Sequence, residues 1–521
     1  MSALPSTSSL VDALRNVLGA EGVVSDPAEL RFYSMDLMWS GPVAAAVARP
    51  TTTDQVVSLT RLAVEFGVAL VPRGGGMSYT MGFTPKHARS VILDLRGLNR
   101  IVEINGTDMY VTVEAGCTWK TLYEALAERG LRTPYFGPVS GVHATVGGAV
   151  AQGSMFFGSG TYGPVAESVL SVRTVLGNGS VIKTGARANR GDVPFNRYYG
   201  PDLTGLFLSD TGAMGIKVEV SIRLIKTPQG SVCASFGFER FEDLCEAQAE
   251  IARHRIVAEC FTLDPFLGGK RTNLQSWTDG VKTLADVARS RGLADAVKVA
   301  KGGTRFLDDC NYSMHLTVDG IDDEDARRKL ALVESIALRY GGPIESTIPT
   351  VLRSRPFQHV GEYLLGQGGL RWIPIHANLP ISKVPEAYRR TMAYYATQHD
   401  LMEKHGIKTG FSTSIAGTDM IFEPQFFWPD ELTEFHSRYV PAEKLKAYGA
   451  NPARPEVREA VVKIMRDLTA IYMELGAVHQ QIGKFYRYED SLDPVNFELL
   501  RQIRALMDPH GIINPGSLGL G

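Results

Sequence analysis

Three consecutive glycines in PRGGGMSYTMGF, residues 72–83, constrain this chain more than any other feature. They follow VALVP, a short apolar run that reads as a strand, so the backbone leaves that strand with no Cβ to shield successive N–H groups. A run of this kind can form an anion-binding nest able to cradle a diphosphate. A second cluster, YFGPVSGVHATVGGAVAQGSMFFGSGTYG, covers 135–163 with eight glycines and few charges. It is too apolar for a flexible linker and too rich in glycine for a regular element, so it reads as ordered backbone lining a ligand. Glycine supplies 53 of the 521 residues, about a tenth against a usual ~7%, and much of that excess falls in these clusters.

The surrounding pattern gives the organisation. Leu10, Val11, Leu14, Val17 and Leu18 share one helical face. Thr52 and Gln55 offer a capping box for a second helix, whose stripe of Val56, Leu59, Leu62, Ala63 and Phe66 stops at Gly67. Strand-like runs SVILDL, RIVEIN and MYVTVEAG follow, then a helix over 118–129 and a two-residue hairpin signal at Asn178-Gly179. From about 227–230 the glycine clusters stop, and long strands alternate with amphipathic helices. That change marks a domain boundary and implies one antiparallel sheet backed by helices.

Charge and cysteine usage exclude several classes. The 54 basic and 56 acidic residues leave a formal net charge of −2, with no single-sign field for a nucleic acid or an anionic membrane surface. The five cysteines are scattered, with no C-x-x-C pair, so neither a disulfide framework nor a structural zinc site is expected. The opening MSALPSTSSL lacks a basic region and an apolar stretch, and no run approaches the roughly 18 apolar residues of a membrane span. A soluble cytoplasmic protein is the expectation. The G-x-G-x-x-G match at 158–163 runs into Pro164 rather than linking a strand to a helix, and no phosphate-loop lysine motif is present.

Taken in order, RPTTTDQVVSLTRLAVEFGVALVPRGGGMSY, HATVGGAVAQG, TYGPVAESVLSVRTVLGNGSV, TGAMGIKVEVSIRL and MDPHGIINPG resemble the FAD-binding domain of the vanillyl-alcohol oxidase and p-cresol methylhydroxylase superfamily. The likeness covers the first ~230 residues and the C-terminal ~50, and the middle follows that family's cap domain in element order. It implies a two-domain α+β fold: a PCMH-type FAD-binding domain over 1–228 and 488–521, and a cap domain over 229–487 whose antiparallel sheet is flanked by helices. The resemblance assigns Pro72, Arg73, Gly74, Gly75, Gly76, Met77 and Ser78 to the loop around the FAD pyrophosphate. It assigns Thr145, Val146, Gly147, Gly148, Gly153, Tyr162 and Gly163 to flavin and adenine contacts. Gly212, Gly215, Ile216 and Asn514 complete the cofactor set. A long dinucleotide held mainly by backbone groups demands glycine wherever chain and ligand meet, which agrees with the clustering.

For the chemistry, the resemblance places Tyr79 where phenol-oxidising members carry a tyrosine, and GKFYRYED resembles their Tyr-Arg sequence. Tyr486 and Arg487 would then join Tyr79 around a phenolate, two hydroxyls and a guanidinium offsetting the cost of burying its charge. The family's acidic residue after the second flavin stretch is replaced here by Pro164, so the proton acceptor must lie elsewhere; His479, just before the Tyr-Arg pair, is the leading choice, with His315 and His376 on strands behind it. Met77 stands where some relatives carry a flavin-tethering histidine, so FAD is expected to be non-covalent. SIAGTDMIFE and VHQQIG lack the histidine-rich metal motifs of the D-2-hydroxy-acid dehydrogenases, so no metal site is expected. The reading is an FAD-dependent oxidoreductase acting on the side chain of a para-substituted phenol or a related aromatic alcohol. It would pass electrons to O2 or an electron carrier and assemble as a homodimer or larger. A D-2-hydroxy-acid dehydrogenase, an alkyl-glycerone-phosphate synthase-like enzyme and a catalytically silent flavin-binding subunit stand as alternatives.

Overall fold

The computed structural model describes residues 6–271, 310–357 and 359–521. Among these the chain forms two compact units. One comprises the residues up to Ser154 together with Val165–Lys226 and Gln480–Gly521; the other comprises Met155–Pro164 and Thr227–His479. Two short segments therefore differ from the expected division. Residues 480–487, expected in the cap, join the first unit, because the Gly483 N–H donates to Thr211 Oγ1 at 3.2 Å and the Lys484 N–H to the Thr80 carbonyl at 2.9 Å. Residues 155–164 join the second, where the Gly158 N–H donates to Glu259 Oε1 and the Gly160 N–H to the Ala258 carbonyl, both at 3.0 Å.

In the first unit, Thr52 Oγ1 accepts the Gln55 N–H at the start of the helix Thr53–Phe66, and Gly67 ends it with φ 59°. The Gln55 side chain accepts from the Thr51 N–H, one residue earlier than a reciprocal box requires. Val56, Leu59, Ala63 and Phe66 are buried as the stripe implied, packed with Leu10 and Leu14 of the helix Thr7–Leu18 and with Val91 and Leu93. Those last two lie on the strand Ser90–Asp94, which runs parallel to both Ala46–Ala48 and Ala69–Arg73. Val23–Val24 completes this four-stranded sheet at the edge beyond Ala46–Ala48.

A second, antiparallel sheet of five strands has the order Ile101–Asn105, Tyr110–Glu114, Ile216–Arg223, Val169–Val175, Val181–Lys183. The connection between the last two is longer than the Asn178-Gly179 pattern implied. The Leu176 N–H donates to the Ser180 carbonyl, and of the two central residues Gly179 alone has positive φ, whereas a two-residue type I′ turn needs it at both.

The second unit is built on an eight-stranded antiparallel sheet in which Gly230–Phe238, Tyr312–Gly320, Glu259–Leu263, Lys408–Ala416 and Asp419–Trp428 are consecutive neighbours. One face is aromatic. Phe241, on the helix Phe241–His254, stacks within 4.2 Å of Tyr388 and 5.2 Å of Phe411, ring centre to ring centre. Strand alternation gives the other face its polar groups, with Ser235 opposite His315 and Ser412 opposite Glu423, beside Phe261 and Phe427.

Asp430 anchors the far end of this sheet. Its carboxylate is fully buried and accepts from Arg371, Trp428, Arg458 and the Arg454 N–H. Burial raises its pKa, but the Arg458 hydrogen bond and the charges around it hold it below the ordinary 3.8. Burial in turn pushes the Arg371 guanidinium down to about 10. Asp430→Asn should strand Arg371 without its counter-charge and cost about 3–5 kcal/mol in urea unfolding. The native chain should lose this contribution only as pH falls through the depressed carboxylate value, so near neutrality it is fully present and does not vary with pH.

Candidate functional site

The strand Ala69–Arg73 delivers the backbone into the loop 74–84, and its parallel pairing sets Arg73 opposite Asp94. A side chain at Gly75 would place its Cβ 1.8 Å from the His143 carbonyl oxygen. Gly76 has φ +71°, and a Cβ there would lie 2.4 Å from Arg73 Nη2. The loop is thus pressed between the segment 143–145 and a guanidinium. Arg73 is 1% exposed, its Cζ 4.7 Å above the Tyr33 ring, 5.1 Å from Phe83 and 5.2 Å from Phe32. The Tyr33 hydroxyl donates to Asp94 at 2.8 Å. Burial raises the Asp94 pKa, yet Arg96, Tyr33 and the Arg73 charge together lower it below its ordinary value, so the carboxylate stays ionised beside the caged cation.

Three other segments complete the wall. Thr145 caps the helix Val146–Gln152 by accepting the Gly148 N–H at 3.2 Å. Asp210 accepts the Gly212 and Met214 N–H groups and a 2.6 Å bond from Lys217 Nζ, an ion pair with both side chains at most 4% exposed. The Gln481 N–H donates to the Gln152 carbonyl at 2.7 Å, and the Gln481 amide reaches the Tyr79 hydroxyl at 3.4 Å.

These segments line one open cleft, the kind of concave site that small molecules occupy. Pro72, Arg73, Gly74, Gly75, Gly76, Met77 and Ser78 line it, as do Thr145, Gly147, Gly148, Gly212 and Gly215. Gln152, Thr211, Lys217 and Gln481 line it too, although no motif singled them out. Other expected residues lie off the wall. Val146 and Ile216 are fully buried, Ile216 within the hydrophobic core. Gly153 ends the helix with φ 65°, and its backbone conformation rather than a cavity contact accounts for the glycine. Asn514 is behind the wall, donating to the Gly82 and Thr211 carbonyls at 2.8 Å each. Tyr162, Gly163 and His479 belong to the second unit.

Tyr79 contacts the cavity residue Gln481, and Tyr486 is 5% exposed with its ring edge-on to Phe485. Arg487 departs from the expectation. Its side chain is 79% exposed and ion-paired with Asp490, three residues on, which is the cheapest partner for a cation at the start of the helix Tyr488–Ser491. The His479 Nδ1–H donates to the His376 carbonyl at 2.6 Å, which leaves Nε2 as the basic nitrogen. Burial pushes His479 down to about 4 and, aided by the His479 charge, His376 to about 3, so both rings are neutral and weakly basic near neutrality. Among the described residues no group of His, Cys, Asp and Glu could hold a metal ion, and no helix is long and apolar enough to cross a membrane.

Comparison with known proteins gives the chain its cofactor. Residues 44–185 match the family profile described as FAD binding domain, and residues 450–518 match that of the C-terminal domain of FAD linked oxidases. The mitochondrial cytochrome-dependent D-lactate dehydrogenase of Arabidopsis thaliana is 32% identical over 200 residues, 38% of this chain and 34% of that protein. The chain spans about a third to a half of the length of the curated relatives it matches first. In fold, 4-ethylphenol oxidase from Gulosibacter chungangensis aligns with a TM-score of 0.73 at 18% identity, covering 100% of this chain and 98% of that one. Substrate-bound p-cresol methylhydroxylase gives 0.72 at 18% identity, covering 98% and 96%.

Two features of this chain fit FAD. The loop 74–76 is held so close to Thr145, His143 and Arg73 that a Cβ at any of its three positions would collide with them, so bare backbone is what it presents to the cavity. Gln152 Oε1, on the cavity wall, is a buried acceptor with no hydrogen-bond partner, the kind of group that the N–H of a bound flavin ring satisfies. Gly75→Ala should therefore yield folded protein that purifies without flavin absorbance, circular dichroism reporting the fold. Native protein precipitated with acid should release its FAD to the supernatant, since Met77 at the loop offers no nucleophile for a tether. The chain thus carries an FAD binding domain over 44–185 and the C-terminal domain of FAD linked oxidases over 450–518, in a fold shared with 4-ethylphenol oxidase and p-cresol methylhydroxylase, and FAD is its cofactor.

Proposed function

We propose that this chain is an FAD-dependent oxidoreductase that oxidises the side chain of a para-substituted phenol or a related aromatic alcohol. The observation that carries this reading is the pairing of the Tyr79 and Tyr486 segments. The Lys484 and Phe485 N–H groups both donate to the Thr80 carbonyl, at 2.9 and 3.2 Å, so the two tyrosines sit on paired backbone next to the cavity residue Gln481. Trp39 and Phe485, 5.8 Å apart between ring centres, and the Tyr486 ring edge-on to Phe485 give that segment an aromatic surrounding. Phenolic hydroxyls in such a setting orient a substrate phenol and offset the cost of ionising it away from water. FAD, when bound, supplies the acceptor for the hydride that leaves the benzylic carbon. Arg487 has no part in this reading, because its exposed side chain already pairs with Asp490. The partners are the small aromatic substrate and either O2 or an electron carrier.

A D-2-hydroxy-acid substrate is the second reading, favoured by the similarity to D-lactate dehydrogenase over 38% of the chain. It requires a cation for the substrate carboxylate. The two cations among the cavity-lining residues are Arg73, held in its aromatic cage, and Lys217, paired with Asp210. Neither is placed to give up its present role cheaply.

Anaerobic mixing of the purified protein with a panel of substrates separates the readings. Phenolic alcohols or alkylphenols should bleach the oxidised flavin spectrum; bleaching by D-lactate or D-2-hydroxyglutarate and by no phenol would reject the proposal in favour of the second reading. A yellow protein that no substrate bleaches would identify a silent flavin-binding subunit. Tyr79→Phe should lower kcat/KM for the best phenol by roughly 10–100-fold, the worth of about 1.5–3 kcal/mol for one hydrogen bond to a charged group.

A further inference from the structure

We propose that Lys484 is a positioning residue for the cofactor site, tying the loop 79–84, the turn at Thr211 and the segment around Asn514 into a single wall that holds FAD. The inference rests on the FAD assignment above. Lys484 Nζ donates to the Met81 carbonyl at 3.1 Å, the Thr84 carbonyl at 3.0 Å and Asn514 Oδ1 at 2.9 Å. Asn514, fully buried, passes the connection on through its amide to the Gly82 and Thr211 carbonyls. Gly82, Phe83, Thr211 and Gly212 are cavity wall. Two side chains thus collect the carbonyl oxygens at the back of that wall, across segments separated by 403 and 303 residues in sequence.

The tie is needed because the wall is strained. Met81 has φ 61°, Thr211 53°, Gln481 49° and Asn514 40°, four side-chain-bearing residues in the left-handed region within one small part of the fold. Conformations of this kind persist only where the surroundings over-determine them. Removing the ammonium leaves three oxygens without their common donor and lets the two loops relax separately.

The acceptors are all neutral oxygens, so the charge on Lys484 is offset only by the field of its neighbours. Asp36, whose Oδ2 accepts the Met81 N–H at 2.8 Å, favours the ammonium, and Lys86, on the same loop, opposes it. Asp210 beside Thr211 is neutralised by Lys217, and the stretch IINPGSL around Asn514 carries no ionisable side chain. Enclosure of Nζ pushes the lysine down to about 7, with Asp36 acting against that shift and Lys86 adding to it. An ammonium has three protons to donate and an amine two, so deprotonation frees one of the three oxygens. An anionic dinucleotide in the adjoining cavity favours the ammonium, so FAD binding takes up a proton here and weakens as pH rises past the apoprotein's value.

The test is a titration of apoprotein with FAD, followed by flavin fluorescence, for the native chain and Lys484→Met across that pH range. The Met variant should bind FAD about tenfold or more weakly at pH 6, the fold-change that loss of a charged hydrogen-bond donor brings. Native affinity should fall as pH rises through about 7, and the variant should show no such fall. Native-like affinity in the variant, or a native profile that is flat, overturns the proposal. Should Lys484→Met fail to fold, judged by circular dichroism of the apoprotein, the native pH profile decides alone. A native chain that takes up no FAD rejects the cofactor assignment and this inference together, whereas native uptake with an indifferent variant rejects only the role of Lys484.

Discussion

Among the described glycines of the cofactor unit, Gly75 leaves the least room for a side chain, because its backbone lies against the His143 carbonyl, and the rest of the site is arranged around that contact. That contact brings the glycine loop and the start of the helix Val146–Gln152 to one cavity wall, where the helix's first N–H groups already donate to Cys117, Ala115 and Thr145. It also fixes what lies behind. With no side chains on 74–76, the Arg73 guanidinium fits directly under the loop, where three aromatic rings and the ionised Asp94 hold it. A cation in that position lends positive potential to the loop without occupying the space a ligand needs. Sheet order, helix packing and the turn at Thr211 serve mainly to keep those few atoms in register.

Much of this frame could be read from residue order. The stripe on the helix Thr53–Phe66 and the strand before the triple glycine are local patterns, and local patterns survive folding when burial agrees with them. The second glycine cluster was harder to interpret because its composition is uniform while its path is not. Up to Ser154 it belongs to the cofactor unit; beyond that its backbone is taken up by Glu259 and Ala258 of the other unit. Arg487 shows the limit of a motif, since sequence supplies the residue type while an acid three positions away decides where the guanidinium goes. Gln152, Lys217, Gln481 and Lys484 carried no signal. Each is an ordinary polar residue in its own stretch; Lys217 pairs locally with Asp210, whereas Gln152, Gln481 and Lys484 acquire their places from partners distant in the chain, as Gly483 does from Thr211, 272 residues away.

The second unit divides its labour between the faces of one sheet. Beneath the helices Phe241, Tyr388, Phe411 and Phe422 form a continuous aromatic layer, and the edge is locked by Asp430. On the other face His315 bridges Ser235 and Ser313, and Gln425 joins Trp372 to Glu423. Fixing so many polar groups to one another restricts their rotamers, which suits a surface that must present a constant arrangement of donors and acceptors.

The order of segments in the cofactor unit has a consequence for how the protein is made. Gln481, Lys484 and Asn514 belong to the stretch Gln480–Gly521, and the whole of Thr227–His479 must leave the ribosome before them. Until then the glycine loop and the Thr211 turn exist without the residues that hold them together. A growing chain can therefore fold its second unit first and acquire the flavin only once Gln480–Gly521 has emerged. The colour of the protein would then report that this stretch had been made, and a chain stopped before it would accumulate as a structured but colourless intermediate.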